Sequence, residues 1–232
     1  MKMYYTFSHL KRPFLKKLYY YIIILLYMKL CILMWYDETI ASYGDINYEI
    51  NKIYCDKNNI KLIRCNERRH INRHPAWERI PLILKYINDY DYVMWIDADA
   101  FFYNDANNIV DIINDNRNYH FIFSNDIGNN NINTGVYIVK NSQYSIDFLT
   151  RWLYDEDLYK NNKHPNWWDQ GVLIEMFKQN MLDIKNNCII IDYGVLQHFY
   201  EDELFTNKPF IIHLAGRSRE SRNNHSLNYI KK

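Results

Sequence analysis

Tyr92-Val93-Met94-Trp95-Ile96-Asp97-Ala98-Asp99 runs five apolar residues straight into two acids. An unbroken apolar run of this length reads as a strand buried on both faces. Ligands of open parallel sheets bind outside the carboxyl ends of the strands. Two carboxylates at such a tip therefore stand where a ligand site is expected. Their mutual repulsion is relieved by a divalent cation, which can bridge them to a diphosphate. Alone, Asp-x-Asp is a common triplet and serves equally well to cap a turn or helix.

Working outward from this strand, Leu30 to Tyr36 is another apolar run of strand length. Gly44 and Asp45 are expected to open a helix to about Lys57, with Ile46, Ile50, Ile53 and Tyr54 on its inner face. Ile60 to Cys65 reads as a short strand. Trp77 to Ile87 reads as a helix that accepts Pro81 in its first turn. Beyond the triplet, Asn107–Asn114 is expected to be helical and Tyr119–Ser124 extended. Gly135–Val139 is read as a strand, Ser142–Tyr154 and Gln170–Gln179 as helices, and Cys188–Ile191 and Phe210–Leu214 as strands. Strands alternating with helices predict an α/β domain, doubly wound around a mostly parallel sheet.

The 232 residues suit one domain with a large core, assigned to 30–217. Net charge is +1, so no basic field is available for nucleic acid, which is set aside as a partner. Four scattered cysteines without a CxxC pair signal neither a zinc site nor a disulfide framework. Residues 1–29 form a basic and hydrophobic extension. Lys11, Arg12, Lys16 and Lys17 precede the apolar run Leu18–Met28, as in a signal-anchor. Lys29 interrupts that run short of the roughly 20 residues a bilayer span needs. A type II membrane anchor of the Golgi or endoplasmic reticulum kind and an extension folded against a cytoplasmic domain both remain open. Residues 218–232 are polar and expected to be a tail.

Two further groups of residues strengthen the site. Phe210-Ile211-Ile212-His213 is a second apolar strand ending in a ligand type, followed by Leu214-Ala215-Gly216-Arg217. An imidazole can complete a cation site begun by two carboxylates. Gly216 allows close approach of a phosphate and Arg217 can clamp it. Asn133-Thr134-Gly135 precedes a strand, and Trp167-Trp168-Asp169-Gln170 opens a helix. Rings for stacking beside polar groups for hydroxyls suit a carbohydrate subsite. Core packing of the tryptophans and N-capping by Asp169 are the plain alternatives.

These blocks, with Trp77-Glu78-Arg79-Ile80-Pro81 and the run from Asn133 to Tyr144, resemble in order the family of fungal Golgi α-galactosyl- and α-mannosyltransferases and plant xyloglucan α-xylosyltransferases. The likeness spans about Leu30 to Arg217. It implies a GT-A fold and a retaining glycosyltransferase using manganese or another divalent cation. The donor implied is a nucleotide-sugar linked through UDP or GDP, carrying a hexose or pentose, and the acceptor is a glycan or glycoconjugate. By the same resemblance Asp97, Asp99 and His213 would hold the metal, and Asp169 and Gln170 would be catalytic, lying beside the donor sugar. Donor binding is assigned to Tyr36, Arg79, Asp97, Ala98, Asn133, Thr134, Gly135, Gly216 and Arg217. Acceptor binding is assigned to Trp167, Trp168 and His198. The chain departs from the family in having Arg217 and Ser218 where Cys and often Lys follow the glycine, and in a shortened segment before Asn133. A sugar nucleotidyltransferase on the same fold would carry a basic, glycine-rich loop after the first strand, where this chain has Asp37-Glu38-Thr39-Ile40. A metal-dependent nuclease would need more convergent acids and a basic face, and a non-catalytic carbohydrate-binding relative is the remaining alternative.

Overall fold

A computed structural model describes residues 28–103, 107–126, 132–199 and 209–231. In chain order the elements are β1 (Leu30–Trp35), α1 (Ala41–Lys57), β2 (Lys61–Cys65), α2 (Arg79–Tyr86), β3 (Tyr92–Ile96), β4 (Ala100–Phe102), α3 (Ile109–Asp115), β5 (Phe121–Asn125), β6 (Ile132–Lys140), α4 (Gln143–Tyr154), α5 (Glu156–Lys160), α6 (Trp168–Lys178), α7 (Ile184–Asn187), β7 (Cys188–Ile191), β8 (Gln197–Phe199), β9 (Ile211–His213) and α8 (Arg219–Ile230).

Six strands form the central sheet in the order β2-β1-β3-β6-β5-β7. All neighbours are parallel except β6, which runs antiparallel to both β3 and β5. The sheet is therefore mostly parallel, as the alternation of apolar runs predicts. Because β6 is reversed, its first residues lie beside the last residues of β3, with Ile96 opposite Val136. A second sheet, β4-β9-β8, packs at the same end. Its β4 starts immediately after the acidic triplet and pairs antiparallel with β9, placing Ala100 opposite His213.

Side chains of β3 alternate between two cores, as strand geometry requires. Val93 and Trp95 join Trp77, Ile80, Tyr137, Phe148 and Trp152 under α2, α4 and α6. Met94 and Ile96 join Tyr54, Phe102, Ile138 and Phe210 on the opposite face, under α1 and the small sheet. Each face of β3 is thus covered, and every residue of it is buried.

Helix α1 starts at Ala41, before the expected Gly44. Gly44 lies inside the helix because the Tyr36 ring packs on it, and a Cβ there would stand 2.8 Å from Tyr36 Cδ2. The inner face of α1 also differs from expectation. Ile53 is 66% exposed, while Asn47 and Asn51 are fully buried. The supposed tail from 218 onward is a helix. Ser218 caps it by accepting a hydrogen bond from Ser221 N–H, and it packs on α1. Asn224-His225-Ser226, the one glycosylation-type triplet, lies in this helix with Ser226 buried. Among the described residues no helix is long and apolar enough to cross a membrane. The apolar run from Leu18, apart from Met28, lies outside them.

Candidate active site

The chain turns sharply at Asp97, and three sets of contacts hold that turn. Asp97 N–H donates to the Gly135 carbonyl at 2.8 Å, continuing the β3–β6 ladder past the strand end. Two buried asparagines one helical turn apart on α1 hold the other side. Asn47 donates to the Ala98 carbonyl at 2.9 Å. Asn51 donates to the Ala100 carbonyl and accepts from Phe102 N–H, both at 3.0 Å, so its amide takes the place of a strand partner. Finally, Leu214 N–H donates to the Asp99 carbonyl at 2.8 Å, which ties the turn to β9.

This scaffold brings Asp97, Asp99 and His213 together, one ligand atom from each within 4.8 Å of the others. His213 Nε2 stands 3.3 Å from Asp99 and 3.7 Å from Asp97. Its Nδ1 is 2.9 Å from Gln197 Oε1, an arrangement that fixes the ring and turns Nε2 toward the carboxylates. Room for the ring comes from Gly135. Two acids and an imidazole, with the imidazole oriented from behind, make a donor set suited to a hard or borderline divalent cation.

Charge around the turn is finely divided. Burial pushes the Asp99 carboxyl upward, but His213 and Arg222 outweigh it and hold the group down at about 2. Burial raises Asp97 above the ordinary carboxylate range despite the opposing charges of Arg79 and His213. For His213, burial disfavours the charged ring, yet Asp99 and Asp97 prevail and raise it. Trp95, two residues upstream on the same face of β3, donates its indole N–H to Asp97 at 2.7 Å.

A cleft of about 560 Å³ opens over these residues. Arg79 is buried in its floor and joins the two halves of the site. Its guanidinium lies 3.1 Å from Asp97 and 3.4 Å from Asp169, and it donates to the Thr134 carbonyl and hydroxyl. Asp169 belongs to the first turn of α6, and the N-cap position is held by Trp167. Its Oδ2 is buried and, among the described residues, accepts no hydrogen bond. Burial raises Asp169 to about 6, with Arg79 opposing and Asp97 reinforcing the rise. Gln170 accepts from Thr134 N–H at 3.0 Å through its carbonyl oxygen, and its amide reaches Asp126 at 3.5 Å.

Trp167 and Trp168 form the outer wall, each a little over two-fifths exposed. Trp168 adopts φ 46° and stacks face to face on His74, with ring centres 3.7 Å apart. Trp167 stacks on His164 at 4.7 Å. Core packing is excluded for both.

Of the residues singled out from the sequence, Arg79, Asp97, Asp99, Asn133, Thr134, Gly135, Trp167, Trp168, Asp169, Gln170, His213, Gly216 and Arg217 all line this cleft. Asn133 accepts from Gly135 N–H at 2.8 Å and shapes the start of β6. Gly216 has φ +71°, a conformation that favours glycine. Three residues are not brought to the wall. Tyr36 points under α1, donating to Asp45 at 2.8 Å with Arg64 over its ring. Ala98 is buried in the turn, where its carbonyl meets Asn47. His198 packs against Tyr193 and does not line the cleft. Phe199 lines the cleft in its place.

Sequence reading also missed Trp95, Asn47, Asn51, Asp126, Gln197 and Arg222. Trp95 has a signal, being two residues before Asp97 on a strand. Ser218 followed by a run free of Gly and Pro is a helix-start signal that bears on Arg222. Nothing local marks the others.

A family model described as "Protein of unknown function, DUF273" matches residues 51–215. No curated protein matches the chain. Among solved structures, a glycosyltransferase involved in the glycosylation of the major capsid of PBCV-1 has a TM-score of 0.70 at 16% identity, over 86% of this chain and 99% of that one. The galactosyltransferase LgtC, in complex with donor and acceptor sugar analogs, has a TM-score of 0.55 at 14% identity, over 87% and 94%. The glycosyltransferase GlyE of Streptococcus pneumoniae TIGR4 has a TM-score of 0.54 at 16% identity, over 86% of this chain and 60% of that one. The fold is that of the GT-A glycosyltransferases.

Proposed function

The chain belongs to the family described as proteins of unknown function, DUF273, and we propose that it is a metal-dependent glycosyltransferase that moves a hexose or pentose from a nucleotide-sugar to a hydroxyl of a glycan or glycoconjugate with retention of configuration. One observation carries this reading. Asp97, Asp99 and His213 converge at the carboxyl end of β3, inside the same cleft as Asp169, Gln170 and the exposed tryptophan pair. A metal triad, a buried acid and stacking surfaces in one cleft are what transfer of a sugar from a diphosphate requires. The PBCV-1 and LgtC proteins, which share the fold, are glycosyltransferases, and LgtC binds donor and acceptor sugar analogs.

In this reading Asp97, Asp99 and His213 would hold manganese or another divalent cation, which would supply positive charge to the departing nucleoside diphosphate. Arg217, on the cleft wall beyond Gly216, clamps the UDP or GDP diphosphate from the other side. Asn133, Thr134 and Arg79 shape the donor-sugar floor. Asp169, in its ionised form, offsets positive charge that develops at the anomeric carbon. Gln170, locked by Thr134, presents its amide to sugar hydroxyls. Among the described residues no side chain is placed as a dedicated base. The acceptor hydroxyl's proton passes to the leaving phosphate oxygen as the new bond to the anomeric carbon forms on the same face. Trp167 and Trp168 stack on the apolar faces of the acceptor's rings.

The test is a donor screen. Several UDP- and GDP-sugars are incubated with the purified protein, with manganese and with chelator, and released nucleoside diphosphate is measured. Manganese-dependent release from one donor class supports the reading. Absence of release and of manganese-dependent binding for every donor defeats it.

A further inference from the structure

Helix α8 buries little apolar surface, since Leu227 and Ile230 are exposed. The residues it turns inward are polar or aromatic: Arg222, Ser226 and Tyr229, spaced four and three apart and so on one face. Arg222 Nη2 meets Asp99 Oδ2 at 2.8 Å, and its Nε donates to the Leu214 carbonyl at 3.2 Å. Two helical turns on, Tyr229 donates its hydroxyl to the Tyr103 carbonyl at 2.9 Å and packs its ring on Phe101. The helix thus grips both ends of the segment 99–103, which starts at a metal-triad carboxylate and continues as β4.

We infer that α8 is a working part of the cation site, with Arg222 as a positioning residue that occupies one oxygen of Asp99 and aims the other at the metal. This rests on the metal reading of the triad. With Oδ2 held by Arg222, Oδ1 is left facing His213 Nε2, so Asp99 offers a single oxygen in a fixed direction. Without that bond the carboxylate is free to turn about its Cβ–Cγ axis, and the geometry shared with Asp97 and His213 is lost. Arg222 also repels a cation through its positive charge. Its ion pair with Asp99 at 2.8 Å offsets part of that charge, and a manganese titration reads whether orientation outweighs the remainder.

The experiment is a manganese titration of the full chain without donor, read by the electron paramagnetic resonance signal of free manganese. Groups that orient metal ligands typically contribute 10- to 100-fold in affinity. R222M, similar in length but without a donor, is expected to weaken manganese binding by about 10-fold. R222K, which keeps a donor and the charge, is expected to bind far more tightly than R222M. Apo melting curves check folding, and should R222M melt early, R222L, also without a donor, carries the same expectation. Wild type binding manganese while R222M binds as tightly or more tightly overturns the role of Arg222. Wild type binding no manganese overturns the metal reading itself.

Discussion

An ideal Cβ at Gly135 would stand 2.0 Å from Cε1 of His213. The backbone of Gly135 does not require glycine, since its φ is not positive. The glycine is there because the imidazole lies against it. Gly135→Ala should therefore push His213 aside, destabilise the fold by about 1–3 kcal/mol as overpacking does, and weaken manganese binding. His213→Ala in the same chain should relieve the clash, so that the double variant melts no lower than His213→Ala alone, but leave metal binding weak. A Gly135→Ala protein with unchanged melting and metal affinity would show that the ring has other room.

Asp99→Asn keeps the shape of the side chain and an acceptor for Arg222 but removes a charge from the triad. Manganese-dependent binding of nucleotide-sugar, followed by calorimetry, should be lost, and the melting temperature should fall because His213 and Arg222 lose the charge they face. Donor binding retained with a large drop in melting temperature would make Asp99 a structural counter-ion to Arg222.

Asp169→Asn isolates the buried carboxylate. The N-cap position of α6 is Trp167, and Asn supports a helix start about as well as Asp, so a helix-end role alone would leave this variant nearly silent. Loss of a charge that acts only in the transition state should lower turnover by about 10²–10³, with donor affinity changed much less. Gln170→Ala should show a milder loss. Near wild-type turnover of Asp169→Asn would remove Asp169 from the chemistry.

The same residue predicts a pH dependence of stability. Asp169 is raised from 3.8 to about 6 in the fold, so between those values the folded chain holds a proton that the unfolded chain has lost. Stability from this group is full below pH 3.8 and declines as pH rises to about 6. At about 1.4 kcal/mol per tenfold in proton affinity, the decline is on the order of 3 kcal/mol. Melting of metal-free wild type against Asp169→Asn across this range should show wild type losing ground as pH rises. Parallel curves would place the carboxyl in a wetter setting.

Much of the architecture is legible in the sequence because each buried strand is a local apolar run. Residues 30–35, 92–96 and 188–191 announce themselves, as do the acids that end 92–96 and the histidine that ends 211–213. From these alone follow a mostly parallel α/β sheet and the triad Asp97, Asp99 and His213. The shared GT-A fold accords with the fungal and plant transferases that the motifs resemble, at the level of the fold. Only the tertiary structure decides what surrounds the triad. The reversal of β6 places Asn133, Thr134 and Gly135 beside Asp97, yet strand direction is a property of pairing and leaves no local mark. Asn47 and Asn51 look like solvent residues of a helix until the turn they hold is folded against it. Arg222 lies in a polar stretch without an apolar face, and its place at Asp99 depends on a docking held by hydrogen bonds and an ion pair. Hydrophobic burial is written in residue type and spacing. Polar contacts between distant segments depend on geometry, which exists only after the chain has folded.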